Sequence, residues 1–349
     1  MSEAATLREP ASSPTATGKP RIGFLGVGWI GRHRMQALLD ANAVEAVGVA
    51  DPSAECRDAA LALAPAARPA ATLNDLLDLD LDGLVIATPS AQHADQAIHA
   101  LGAGVSVFCQ KPLGRNAAEV SAVVEAARKA DRLLAVDLSY RFTEGMRRIR
   151  RLIRDGALGK VFAADLVFHN AYGPDKPWFY DRRLSGGGCV MDLGIHLVDL
   201  ALWALDFPEV RSVTSSRYAG CAQLLPGASE VEDYAVATLE IANGATVRLA
   251  CSWRLHAGCE AQISASFYGT GGGAELRNVD GSFYDFTASR HEGTRREPLC
   301  GPPDAWGGRA VADWARRLAA GERFDPDCAR LVDLAAVLDR INRPESRAA

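Results

Sequence analysis

The sequence has no Cys-x-x-Cys pair, and none of its eight cysteines stands at zinc-ligand spacing with a histidine. Neither a disulfide framework nor a structural metal site is expected. Scattered cysteines in a chain of this size read as reduced thiols, in keeping with a cytoplasmic protein. No apolar run reaches membrane-spanning length, so no membrane partner is expected. Positive charge is not in excess: 38 Lys and Arg against 43 Asp and Glu leave a net charge of −5. With no basic stripe, a nucleic-acid partner is not expected either. Arg147, Arg148, Arg150, Arg151 and Arg154 cluster, but they alternate with Ile149, Leu152 and Ile153 at helical spacing and read as a solvated helix face. Residues 1–19 lack the apolar core of a signal peptide; rich in Ala, Ser, Thr and Pro, they read as a disordered tail.

A length of 349 residues suggests two domains. Over 20–141, apolar runs alternate with helical stretches. Examples are Gly83–Thr88, Gly104–Cys109 and Leu133–Leu138, separated by His93–Leu101 and Ala117–Ala130. That rhythm predicts α/β organisation with a parallel sheet. Over 142–349, strand-like segments dominate (Val161–His169, Val210–Ala219, Asp233–Ile241, Thr246–Arg254, Ala261–Tyr268), with Asn243-Gly244 as a hairpin signal. This half reads as α+β with a mostly antiparallel sheet, closed by helices at Ala310–Ala320 and Asp327–Ile341.

The most informative stretch begins at Ile22, with glycines at 26, 28 and 31, and leads to a second apolar run ending in Asp51, 20 residues after Gly31. A strand, a tight glycine turn, a helix and an acid at that spacing form a dinucleotide-binding pattern. Gly26 allows the turn, Gly28 admits a pyrophosphate, and Gly31 lets helix and strand pack closely. The helix beginning near Trp29 and Ile30 offers free N–H groups to the phosphates. Asp51 would accept from ribose hydroxyls and repel a 2′-phosphate, which favours NAD over NADP, although Arg57 and Arg68 could modify this.

Three constellations follow. Thr88, Pro89 and His93 lie at the end of a parallel strand, where ligands of such sheets bind; they read equally as a helix entry. Gln110-Lys111-Pro112 ends the next strand, where Lys111 could donate to a substrate oxygen; in isolation it reads as an exposed turn lysine. Gly186-Gly-Gly precedes Asp192 and His196, four residues apart and so on one helix face. The glycines would leave that helix N-terminus open to a ligand. A carboxylate and an imidazole so placed can bind a hydroxyl and take its proton, or simply stabilise the helix. Asp199 is expected to be structural, orienting the imidazole. The loop 169–183 is expected to shape a substrate pocket. There Trp178, Phe179 and Tyr180 could stack on a sugar ring, and Asp175, Lys176, Asp181, Arg182 and Arg183 could read its polar groups, unless the aromatics merely pin the loop. Arg141 is a further substrate-binding candidate.

Together, the glycine pattern with Ala50-Asp51-Pro52, Thr-Pro-x-x-x-His, Lys-Pro, Tyr140-Arg141-Phe142 and Gly-Gly-Gly…Asp-x-Gly-x-His resemble the Gfo/Idh/MocA family, from residue 20 onward. The resemblance implies a Rossmann domain followed by a domain with a large open sheet, and a homodimer or homotetramer with the open face buried between subunits. It assigns Lys111 to the family's Glu-Lys-Pro lysine, and Asp192 and His196 to its substrate-binding and proton-transfer pair. It implies an NAD-dependent dehydrogenase acting on a sugar, cyclitol or related polyol. Two other readings stay open: a glycoside hydrolase or lyase that retains NAD for transient oxidation, and a non-catalytic nucleotide-binding regulator. The departure is Gln110 where the family has Glu, which removes a charge beside Lys111.

Overall fold

The computed structural model describes residues 18–343; the tail expected over 1–19 lies almost wholly outside them. The first half is a parallel sheet with helical crossovers. Its elements are β1 (Arg21–Leu25), α1 (Trp29–Asp40), β2 (Glu45–Ala50), α2 (Ala54–Leu63), β3 (Arg68–Ala70), α3 (Leu73–Leu77), β4 (Gly83–Ile86), α4 (Ser90–Gly102), β5 (Ser106–Cys109), α5 (Ala117–Ala130) and β6 (Leu134–Val136). The strand order is β3-β2-β1-β4-β5-β6, all pairs parallel. The order reverses between β1 and β4, so their C-terminal ends frame the crevice where such sheets bind dinucleotides. The continuous apolar runs of β4 and β5 follow from burial on both faces.

The second half contains α6 (Glu144–Arg154), β7 (Val161–Asn170), a short α7 (Arg182–Ser185), α8 (Ile195–Ala204), β8 (Val210–Ala219), β9 (Ala222–Gln223), β10 (Tyr234–Ile241), β11 (Thr246–Ser252), β12 (Ala261–Gly269), β13 (Gly272–Asn278), β14 (Phe286–Glu292), β15 (Arg295–Cys300), α9 (Arg309–Ala319) and α10 (Ala329–Asn342). Its nine strands run β15-β14-β13-β12-β7-β11-β10-β8-β9, antiparallel except for the β7–β11 pair. One face carries Leu166, Phe168, Leu239, Leu249, Ile263 and Phe267 into a core shared with α8. The other exposes Phe162, Val236 and Tyr268.

Two features depart from the sequence expectation. The segment Arg182–Ala204 is long and apolar enough to cross a membrane, but 89% of its most apolar window is buried inside the protein, because α8 is the central core helix. And the C-terminal helices do not stay with the second sheet. Trp314 of α9, 1% exposed, packs with Ile22 and Phe108 on the first sheet, its ring 5.7 Å from that of Phe108. Helix α10 bridges both cores, with Leu334, Val337 and Leu338 in one and Ala335 in the other. The sequence boundary 142–349 therefore includes one helix that packs on the first sheet.

Candidate active site

The glycine turn is built as a nucleotide cradle. Gly26 has φ +81°, and a Cβ there would lie 2.6 Å from the Ala87 carbonyl. A Cβ on Gly31 would meet the Gly26 oxygen at 2.1 Å, so helix and turn touch backbone to backbone. A Cβ on Gly28 would meet nothing within 4 Å: open space lies before α1. Gly28 caps α1 without a side chain, which leaves first-turn N–H groups free for an anion, with Trp29 exposed and Ile30 half-buried beside them. Asp51 holds the turn: Oδ2 accepts from the Val27 N–H at 2.8 Å and Oδ1 from the Ser53 N–H at 2.9 Å. Each oxygen keeps acceptor capacity for a ribose hydroxyl. Arg57 donates to the backbone oxygens of Asp51 and Pro52. These residues fit a dinucleotide.

Thr88 and Pro89 lie half-buried at the end of β4. His93, in contrast, is 2% exposed, and its two ring nitrogens lie 2.7 Å from the Pro112 and Thr88 carbonyl oxygens. Burial lowers its basicity, against the pull of those two carbonyls. The ring braces the β4 and β5 loops against each other and has no nitrogen left for a cofactor, which corrects its expected role.

Lys111, Asp192 and His196 do come together. The Lys111 ammonium donates to the Asp192 carbonyl oxygen and to Oδ1, both at 2.7 Å. The other carboxylate oxygen accepts from the Trp253 indole N–H at 2.9 Å. Asp192 sits in a π turn, Val190–Gly194, that feeds directly into α8, with the Ile195 N–H bonding back to the Val190 oxygen. The pair thus spans a π-to-α junction rather than a regular helix, a distortion common at functional sites. His196 is 7% exposed, and its Nδ1 has no hydrogen-bond partner among the described residues. Burial, reinforced by the charges of Lys111 and Arg34, holds the imidazole well below its ordinary pKa and therefore neutral. Tyr140 packs edge-on against it, ring centroids 4.9 Å apart.

The glycine run does not open that helix. Glu232, fully buried, accepts from the Gly188 and Val190 N–H groups at 2.8 and 3.0 Å, and a Cβ on Gly188 would lie 1.9 Å from the Glu232 carbonyl oxygen. The run exists for close packing, and a protein carboxylate takes up these N–H groups. Arg141 spends Nε and Nη2 on a buried carboxylate. Its guanidinium is engaged by Asp199, with Nε 2.8 Å from Oδ2 and Nη2 bonded to Oδ1. Asp199 therefore orients Arg141, not the imidazole.

In the loop, Trp178 stacks on Phe179 at 3.8 Å, and both Phe179 and Tyr180 meet the Trp253 ring edge-on. Tyr180 thus reaches the site through the residue that holds Asp192. Asp181 caps α7, and Asp175, Lys176 and Arg183 are exposed. Sequence reasoning missed Trp253 and Glu232. It also missed the buried group behind Lys111, in which Asp137 accepts from both Gln110 and Arg34.

Comparison with known proteins agrees with this architecture. Residues 20–138 match the oxidoreductase family with an NAD-binding Rossmann fold, and residues 146–275 match the GFO/IDH/MocA C-terminal domain. The chain is 30% identical to a D-glucoside 3-dehydrogenase of Escherichia coli, a match spanning 58% of this chain and 60% of that protein. It is 31% identical to a putative UDP-kanosamine synthase oxidoreductase subunit of Amycolatopsis mediterranei, over 74% of this chain and 75% of the relative. A levoglucosan dehydrogenase structure with NADH and levoglucosan superposes with a TM-score of 0.79 at 20% identity, covering 93% of this chain and 96% of the other. The chain belongs to the GFO/IDH/MocA family of oxidoreductases, with an NAD-binding Rossmann domain followed by that family's C-terminal domain.

Proposed function

We propose that this protein is an NAD-dependent dehydrogenase that oxidises a secondary hydroxyl of a sugar, cyclitol or related polyol. The observation that carries the reading is the Lys111–Asp192 pair beside the neutral imidazole of His196, whose Nδ1 has no hydrogen-bond partner among the described residues. Lys111 has three donors and spends two on Asp192, so one remains for a substrate oxygen. That contact stabilises the negative charge developing as the hydroxyl loses its proton. His196, unprotonated because it is buried beside two cations, accepts the proton. Asp192, held on both oxygens, binds a neighbouring hydroxyl and fixes the ring. Tyr180, which meets the ring of Trp253, and Trp178 in the same loop are the proposed stacking surface for the sugar ring. When bound, the nicotinamide accepts the hydride.

The cofactor reading rests on Asp51, whose carboxylate opposes a 2′-phosphate, and on Arg57, which is tied to backbone oxygens. Self-association across the open face of the second sheet would cover Phe162, Val236 and Tyr268 and give the dimer or tetramer expected from the sequence. The test is NADH absorbance with a panel of inositols, aminocyclitols and aldoses, NADP in parallel. NADH formation with one polyol class supports the reading. Absence of NADH with every class, despite bound NAD, favours the NAD-retaining hydrolase or lyase or the non-catalytic binder. A tenfold preference for NADP would overturn the assignment from Asp51.

A further inference from the structure

Gln110 departs from the family's Glu-Lys-Pro pattern, and the structure shows where its side chain goes. The Gln110 amide donates to Oδ2 of Asp137 at 2.5 Å, and Arg34 Nε donates to the same oxygen at 2.5 Å. Ser139 Oγ donates to Oδ1 at 2.9 Å, and the Asp137 N–H bonds to the Cys109 oxygen. Gln110 is 6% exposed, Arg34 and Asp137 1% each. In so dry a site, a Glu at 110 would press one carboxylate against another. An amide is the group of nearly the same shape that can donate instead. The group also touches the rest of the active site. Arg34 lies over the Trp306 ring at 5.0 Å, Trp306 stacks on Tyr140 at 5.9 Å, and Tyr140 packs on His196.

We infer that Asp137 is a positioning residue of the active site: it supplies, from the end of β6, the negative charge that the family's motif places at residue 110. It fixes Gln110 and hence the end of β5 from which Lys111 projects. It also balances the buried Arg34 guanidinium, whose charge would otherwise reach His196 unopposed. Asp137 touches neither substrate nor cofactor in this account and acts through Gln110 and Arg34.

The test is a charge exchange across one hydrogen bond. In Gln110→Glu, two carboxylates share the site with one arginine. In Asp137→Asn, Arg34 loses its counter-charge. In the double variant Gln110→Glu/Asp137→Asn, the asparagine amide donates to the new glutamate and the charge count is restored. We expect each single variant to lose roughly 10–100-fold in kcat with a smaller change in KM for NAD. The double variant should recover at least tenfold over Asp137→Asn. A double variant whose loss equals the product of the two single losses would overturn the inference. So would recovery of unfolding temperature without recovery of kcat, which would leave Asp137 a purely structural role. Because the inference rests on the dehydrogenase reading, unfolding temperature and NAD affinity are measured on all four proteins. A wild type that binds NAD but oxidises no polyol defeats that reading. Strictly additive losses of unfolding temperature then still defeat the charge exchange.

Discussion

Removing the guanidinium of Arg141 tests whether that residue reads substrate or holds the fold. Asp199 is 2% exposed, and Arg141 is its hydrogen-bond partner through both Nε and Nη2. Arg141→Ala leaves a carboxylate uncompensated inside the protein, a loss of about 3–5 kcal/mol. In a chain of this size that corresponds to a fall of roughly 4–7 °C in unfolding temperature. The loss depends on pH with a definite sign. Burial already raises the Asp199 pKa with Arg141 in place, and removing the arginine raises it further. The native variant then keeps a proton that the unfolded chain releases, so stability is greatest at low pH and drains as pH rises through the native pKa. Thermal unfolding at pH 5 and pH 8 should show the larger deficit at pH 8. Adding Asp199→Asn should return part of the loss. NAD affinity and substrate KM, measured below the melting range, should change little. A deficit independent of pH, or a raised KM with unchanged stability, would refute the reasoning and return Arg141 to the substrate pocket.

Four further outcomes follow from the site. The acid limb of kcat/KM should lie below pH 6.5, because His196 is depressed from that ordinary value. The contribution of His196 to stability should be complete above pH 6.5 and fall as the medium acidifies. Trp253→Phe keeps the ring but removes the hydrogen bond to Asp192; losing a bond to a charged group costs about 1.5–3 kcal/mol, or roughly 10–100-fold in kcat/KM. Gly188→Ala should destabilise by roughly 3 kcal/mol, the upper end for overpacking, because its Cβ would collide with backbone rather than with a movable side chain. Urea unfolding of that variant measures the effect directly.

The first half of the fold was legible because its signals are local. Gly26 and Gly31 each meet a neighbour within a few residues or across one strand, and the runs of β4 and β5 admit no other burial pattern. Strands β13 to β15 were not legible. β15 reads Arg-Arg-Glu-Pro-Leu-Cys and is largely exposed, so it carries no alternation to recognise. The return of α9 to the first sheet was equally hidden, since an apolar stripe states that a helix packs but not on which surface.

Helix spacing paired Asp192 with His196 and a strand end marked Lys111, but joining the three rested on the resemblance to the GFO/IDH/MocA family. What sequence could not supply were partners distant in the chain. Asp199 lies 58 positions from Arg141, and Trp253 lies 61 from Asp192. The same distance explains why the glycine run was read as an opening, when Glu232 fills it from 44 residues away.

The most direct test of the central claim is to supply an oxidisable polyol deuterated at its carbinol carbon and to follow the label into the nicotinamide. The account predicts NADH carrying deuterium at C4, one equivalent per ketone formed, with the rate reduced by roughly 10²–10⁴-fold in His196→Ala. Cleaved product that has regained its deuterium, with no net NADH, would contradict it and establish a recycled cofactor instead.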